Sequence, residues 1–412
     1  MVGEKDLLDT LFDNFLGGPQ IFKNREAMRP DYIPRSLPHR EEQIYQVGSI
    51  LSPLLRGFRG SNLFIYGQTG TGKTAVVKYV LDRVMRKSEE IGLKLGTCYI
   101  NCRLTGTDYR VLASLCHSLG VSIPFTGIAT SEVFDRFKVV LEQQKTLILT
   151  VLDEVDELVK TYGDTLLYDL TRINESLKNS KVSIIGISND LRFKELLDPR
   201  VLSSLSEEEV VFRPYSAPEL TDILLERADI SFIDGVLSEG ALKLAAALAA
   251  AEHGDARRAL DLLRVAGELA ERSGYTFIEE AHVRQAQKKI EYDRISTFLQ
   301  TLPLHSKIIT CSVYLLKKMG SDSAITGDVY DVYCELCGQV GIEALTQRRV
   351  SGLINELDVN GILNSGVISR GRYGRTKKIR LSVSFSTIKE VFGDDPWTFQ
   401  LIDYIPKYFD KK

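Results

Sequence analysis

Apolar residues in this chain come first in short unbroken runs, then only at helical spacing, and finally in an alternating stretch near the C-terminus. In the first region, Ser61 to Tyr66, Leu147-Ile-Leu-Thr-Val-Leu, and Lys181 to Ser188 with Val182, Ile184, Ile185 and Ile187 read as strands buried on both faces. Thr97 to Cys102 and Val210-Val-Phe212 read as two more. His39 to Leu55, Ala75 to Arg86, Tyr109 to Leu119 and Ser131 to Gln144 read as helices between them. This alternation predicts an α/β fold with a parallel sheet.

From Ala217 the strands stop. Pro218 to Ala228, the alanine-rich Ser238 to Ala250, and a third helix opening at Gly254 with Ala259, Leu262, Leu263 and Ala266 on its apolar side predict a small all-helical domain. The last region begins near residue 295. There Thr346 is placed to cap a helix running to Leu357, with Val350, Leu353, Ile354 and Leu357 on its buried face and Gln347, Arg348, Ser351 and Asn355 opposite. Ile362 to Arg370 is strand-like, Gly371-Arg-Tyr-Gly374 is a turn, and Lys377 to Val383 alternates Ile379, Leu381 and Val383 with polar neighbours. A helix followed by a β-hairpin is the winged-helix order. The expected division is therefore a loosely held segment 1–19, an α/β domain 20–216, a helical domain 217–292 and a winged helix 295–412.

A length of 412 residues fits about two or three domains, and the net charge of −3 rules out a general polycation. Basic residues are concentrated in one place. The hairpin carries Arg370, Arg372, Arg375, Lys377, Lys378 and Arg380 without an acid, which points to DNA phosphates held at the hairpin tip, with Tyr373 among them. The adjoining helix would then enter the major groove with Gln347, Arg348 and Asn355 nearest the base edges. No apolar run approaches a bilayer span, and the acidic start Met1 to Asp9 lacks signal-peptide form, so no membrane partner is expected and the chain should stay in the cytoplasm or nucleoid. The six cysteines include Cys334 and Cys337 but no matching second pair, which favours reduced thiols over a zinc site.

The most specific chemistry is Gly67-Gln68-Thr69-Gly70-Thr71-Gly72-Lys73-Thr74, set between a strand and the helix opening at Ala75. Its glycines let backbone N–H groups face phosphate oxygens, Lys73 would reach the β- and γ-phosphates, and Thr74 offers a hydroxyl to Mg²⁺. Asp153 and Glu154 end an apolar strand, where a parallel sheet presents ligands; Asp153 would hold Mg²⁺ and its water, and Glu154 would polarise the attacking water. Asp156 and Glu157 read instead as a solvated acidic loop. Asn189 at another strand end would orient the water, and Arg257 in the first turn of a helix would reach the γ-phosphate. Tyr32, Ile33 and Pro34 read either as a cover for adenine or as a domain-edge loop. Arg200 reads either as a cation offered to a neighbouring subunit's nucleotide or as a surface helix residue, and Arg258 as a solvated charge.

Together with Tyr32-Ile-Pro and the following His-Arg-Glu, the motifs Leu-Asp153-Glu154, Gly186-Ile-Ser-Asn-Asp and Gly254-Asp-Ala-Arg-Arg-Ala make the chain from about residue 20 resemble the archaeal replication initiators. These are relatives of the eukaryotic origin-recognition complex and its helicase-loading ATPase partner. The resemblance implies an AAA+ ATPase with ATP or ADP and Mg²⁺ at the phosphate loop, Asn189 and Arg257 as first and second sensors, and duplex origin DNA, a replicative helicase and related initiator copies as partners. It also implies that an insert near Leu104 to Ala129 touches DNA, with Arg103 and Arg110 as phosphate contacts. One departure stands out: Val-Leu-Ser-Ser-Leu205 follows Arg200 where several eukaryotic relatives resemble Ser-Ser-Arg, so slow intrinsic hydrolysis is expected. An ATP-sensing transcriptional regulator and a Holliday-junction branch-migration ATPase are the competing readings.

Overall fold

The computed structural model describes residues 17–124, 126–205, 208–321, 323–369 and 375–407, together with Leu8 and Phe12. The chain forms two compact units, residues 1–286 and 287–412. In the first, the apolar runs become β1 (Leu63–Gly67), β2 (Leu95–Asn101), β3 (Leu147–Asp153), β4 (Lys181–Ser188) and β5 (Glu208–Phe212), a parallel sheet of order β2-β3-β4-β1-β5. Every residue of β3 is buried because both faces are covered. Helices Asp108–Ser118, Thr130–Gln144 and Thr165–Ser176 bring Val111, Phe137 and Leu170 to Ile148 and Leu152, while helix Lys73–Glu90 brings Val76 and Val80 to Ile65 and Leu149. Since all five strands run the same way, Gly67, Asn101, Asp153 and Ser188 gather at one edge, with Asn101 paired to Asp153 and Tyr66 to Ser188.

The first unit departs from expectation at two elements. The helix foreseen from His39 to Leu55 spans only Glu41–Leu51 and gives way to a 3₁₀ turn, Ser52–Arg56, because Pro53 has no N–H to continue the ladder. The supposed acidic loop after Glu154 is a helix, Val155–Tyr162, with Val155, Leu158 and Val159 as a buried stripe. Asp156 within it is 2% exposed.

Helices Ala217–Ser231, Glu239–Ala251 and Ala256–Arg272 form the lid. Each start is capped: Ser216 and Glu219 form a capping box, Ser238 accepts from Ala241 N–H, and Asp255 accepts from the N–H groups of Arg257 and Arg258. Residues 21–32 precede the sheet in sequence but pack on this lid. Phe22 lies 4.9 Å from Phe232, and Lys23 and Asn24 donate their N–H groups to Ser231 O at 2.8 and 3.0 Å. Gly267 leaves room for Phe22, whose ring a Cβ there would meet at 2.7 Å. The buried guanidinium of Arg227 donates to the carbonyls of Ala27 (2.6 Å), Arg29 (2.7 Å) and Tyr32 (3.0 Å) and lies 4.6 Å from the Tyr32 ring centre.

The second unit packs helices Leu304–Lys318, Thr326–Val340 and Gln347–Val359 against a small antiparallel sheet of order β6-β8-β7, where β6 is Ala324–Ile325, β7 Leu363–Ser369 and β8 Arg375–Leu381. Val350, Leu353, Ile354 and Leu357 are buried, as their spacing foretells. Thr346 occupies the N-cap position, yet its side chain makes no cap hydrogen bond, so the expected capping role is corrected.

Replacing Arg227 by alanine strands three carbonyls beneath the lid. Urea unfolding of Arg227→Ala is expected to show a loss of about 2 kcal/mol or more, since hydrogen bonds from charged donors contribute about 1.5–3 kcal/mol each. Limited proteolysis should cut first between residues 23 and 36; a wild-type midpoint and cleavage pattern would refute the clamp.

Candidate functional site

The phosphate-binding pattern sits at the carboxyl end of β1, with Gly67 closing the strand and Lys73 opening the next helix. Gly70 and Gly72 have φ of +72° and +88°, and both are approached too closely to carry a side chain. A Cβ on Gly70 would lie 1.7 Å from Asp255 Oδ1, and one on Gly72 2.8 Å from the Tyr215 hydroxyl. The loop carbonyls are met by donors from separate elements. Lys73 Nζ donates to Gly67 O and Gln68 O at 2.7 Å each, Arg40 Nε to Thr71 O at 2.9 Å, and Ala256 N, from the lid, to Gly70 O at 3.1 Å. Arg40 also donates to Arg213 O at 2.7 Å and lies 3.7 Å from the centre of the Tyr215 ring, joining the loop to the approach to the lid. Burial pushes Lys73 down to about 8; Asp153 opposes this and Arg257 adds to it.

At the neighbouring strand end, Thr74 Oγ1 donates to Asp153 Oδ2 at 2.9 Å, the Tyr99 hydroxyl bonds the same oxygen, and Glu154 N–H donates to Asp153 Oδ1 at 2.9 Å. Burial, together with the bond to Asp153, pushes the Tyr99 phenol well above its usual range. Glu154 itself adopts φ +54° and lies 4.0 Å from Arg103. Just past the end of β4 the N–H of Asn189 donates to Asp156 Oδ1 at 3.3 Å.

These groups surround a cavity of about 440 Å³. Tyr32, Ile33 and Pro34 line it on one side, Gly70 to Ala75 on another, and Asp153, Glu154, Asn189 and Arg257 complete the set. Gly67, Gln68 and Thr69 are outside this lining. Arg200 lies elsewhere, paired with Asp198 through two contacts at 3.0 and 3.1 Å. Arg258 corrects the expectation of a solvated charge: its side chain is largely buried and bonded to Glu252 at 2.8 Å. Oxygen donors from Thr74 and Asp153, already in contact, are the type a hard divalent cation takes.

For nucleic acid, Gln347, Arg348 and Asn355 are exposed on one helix of the second unit. Lys377 ties the hairpin to that helix, bonding Asn355 Oδ1 and lying 3.3 Å from Ser351 Oγ. Arg375 pairs through its backbone with Ser369, while Arg370, Arg372 and Tyr373 lie outside the described residues. In the first unit, Arg103 and Arg110 are exposed on the successive helices Cys102–Thr105 and Asp108–Ser118, the first of which also exposes Leu104 by 82%. Among the described residues no helix is long and apolar enough to cross a membrane. Cys337 is buried and Cys334 partly so.

The family described as the CDC6 C-terminal winged helix domain matches residues 297–391, the Cdc6 AAA+ ATPase-type lid domain residues 221–288, and the AAA domain residues 56–194. The ORC1-type DNA replication protein of Pyrococcus furiosus is 54% identical over 392 residues, covering 94% of this chain and 93% of its own. That of Thermococcus onnurineus is 52% identical over 396 residues, covering 95% of both. This chain belongs to the ORC1-type DNA replication proteins. Among solved structures, the Aeropyrum pernix ORC1 protein in complex with DNA superposes on this family member with a TM-score of 0.83 at 46% identity, covering 92% of this chain and 99% of that one.

Sequence reasoning missed Tyr99, Arg40, Arg227 and Asp156, all of which the fold brings to this ORC1-type site or to its supports. Arg40 falls in the His-Arg-Glu segment singled out by resemblance, but nothing in its neighbours reveals the carbonyls it serves. Arg40→Ala should release bound ADP at least about tenfold faster, because the bonds from a charged donor to the Thr71 and Arg213 carbonyls are lost. Arg40→Lys, with its donors on a single nitrogen, should fall between. Stopped-flow dissociation of fluorescent ADP measures both, and unchanged rates would show that the clamp does not hold the loop.

Proposed function

We propose that this chain is an ATP-dependent replication initiator that binds duplex origin DNA, helps recruit the replicative helicase and uses nucleotide as a slow switch. The observation that carries the reading is the single cavity in which the phosphate loop, the acidic end of β3, Asn189, the Tyr32 strap and lid residue Arg257 meet, in a chain that also bears a winged helix. Tyr32, Ile33 and Pro34 would pack on adenine and the Gly70 to Ala75 backbone would cradle phosphates. Lys73 would leave the Gly67 and Gln68 carbonyls for the β- and γ-oxygens. Thr74 and Asp153 would hold Mg²⁺, which when bound neutralises phosphate charge. In hydrolysis, a water oriented by Asn189 bonds the γ-phosphorus as its bond to the β–γ bridging oxygen breaks. Glu154 takes the water's proton, and ADP and phosphate result.

Arg200, tied to Asp198, lies apart from this chain's own cavity, which supports slow turnover by the isolated protein. A neighbouring copy on the same DNA would have to bring its Arg200 to the phosphate, and an added arginine commonly contributes 10³ to 10⁵ in rate. Arg257 would bias the lid toward closure when the γ-phosphate is present. On the DNA side, the basic hairpin with Arg370, Arg372, Tyr373, Arg375 and Lys377 would hold phosphates, Gln347, Arg348 and Asn355 would face base edges, and Arg103 and Arg110 would add contacts from the first unit.

Lys73→Ala is expected to abolish nucleotide retention while the second unit stays folded, and turnover of the wild-type chain alone should stay below about 1 s⁻¹. The joint change of Arg372 and Arg375 to alanine should weaken binding to every duplex and flatten its salt dependence, whereas Arg348→Ala should blunt sequence preference. Crosslinking to the genome, compared with mapped replication starts, tests the whole reading. Peaks at starts support it; peaks confined to promoters favour a transcriptional regulator, and binding at recombination structures a branch-migration motor.

A further inference from the structure

We infer that Asp156 is a positioning residue for hydrolysis: it fixes Asn189, and through it the attacking water, by holding the Asn189 backbone. The inference rests on the ATPase reading above. Acids in the first turn of a helix ordinarily stay in solvent beside the positive helix end, yet Asp156 is 2% exposed. Burying a carboxylate is costly unless it is bonded and paired. Its partners explain the burial. Oδ1 accepts from Asn189 N–H at 3.3 Å, and Oδ2 lies 3.4 Å from Lys160 Nζ, which is also 3.1 Å from Asp190. On the far side of Asn189, Ser188 Oγ accepts from Asp190 N–H at 3.0 Å and closes the turn. Asn189 is thus held from both flanks at a strand end while it lines the cavity with Glu154. Asp156 follows Glu154 by two residues, so one short segment of chain carries both the proton acceptor and the support of the residue that aims the water. Misplacing a catalytic group by about 1 Å can cost about 100-fold in rate, so the support matters as much as the group.

Two opposite substitutions separate positioning from a general structural or charge role. Asp156→Asn keeps an oxygen to accept from Asn189 N–H and removes the charge; Asp156→Glu keeps the charge and displaces the carboxylate. Single-turnover ATP hydrolysis and ATP affinity are measured on the full chain. Positioning predicts that Asp156→Glu slows hydrolysis at least about tenfold with affinity changed less than about threefold, while Asp156→Asn keeps the rate within about threefold of wild type. The reverse order overturns the inference. Asp156→Glu should add nothing to Asn189→Ala, because both act through one group, whereas multiplying effects would also overturn it. Wild-type hydrolysis by Asn189→Ala would instead overturn the assignment of Asn189 to the water, and with it the role of Asp156. Near wild-type hydrolysis by Asp156→Glu beside a slow Asn189→Ala would overturn the inference about Asp156 alone.

Discussion

A phosphate loop that aims its N–H groups at the ligand turns its carbonyls back into the protein, and a buried carbonyl has to meet a donor. Besides the loop's own Thr71 hydroxyl, which donates to Gln68 O, the donors come from three places: Lys73 from the helix that follows the loop, Arg40 from a segment before the sheet, and Ala256 from the lid. The arrangement makes the loop the junction of the first unit. It also sets up an exchange. Lys73 is 5% exposed and its charge is disfavoured there, so phosphate oxygens would offer its ammonium a better partner than two neutral carbonyls. Moving Lys73 to a phosphate frees Gly67 O and leaves Gln68 O to the Thr71 hydroxyl at 2.8 Å, while Arg40 and Ala256 keep the other half of the loop in place.

That constraint ties together the two sides of the cavity, which stand on different elements of the first unit. The loop and the acids stand on the sheet. The strap carrying Tyr32 is anchored by Arg227 to the lid, which also carries Arg257. A nucleotide touching both sides would join the sheet to the lid. Gly70 is the contact point where this works or fails: Asp255 approaches so closely that any Cβ would collide, and the bond from Ala256 N–H to Gly70 O depends on that approach. A glycine here serves docking of the lid as well as the turn of the loop.

The strands were legible because parallel strands covered on both faces must be apolar throughout, and the loop was legible from its spacing. The winged-helix order followed from a helical period giving way to alternation. What could not be read has a common physical origin in partners distant along the chain. Arg40 and Arg227 look like surface arginines until carbonyls 31 and 195 to 200 residues away come into place. Residues 21–32 look like a lead-in to the sheet until Phe232 and Ser231 claim them. Asp156 sits in an acidic run that suggests solvent, and the period of Val155, Leu158 and Val159 was the available sign of a helix. At Thr346 the local signal was right about the helix start and wrong about the bond.

The polar residues of helix Gln347–Val359 differ in how they are engaged. Asn355 is engaged by Lys377, so contact with a base edge would first break a bond that joins helix and hairpin. Gln347 and Arg348 sit exposed in the first turn, where a helix entering the major groove end-on presents its side chains. Sequence discrimination is therefore expected to rest more on that first turn than on Asn355. The Lys377 bridge has a different consequence: it fixes the hairpin's register against the helix, so phosphates gripped by the hairpin would set where the first turn falls along the groove.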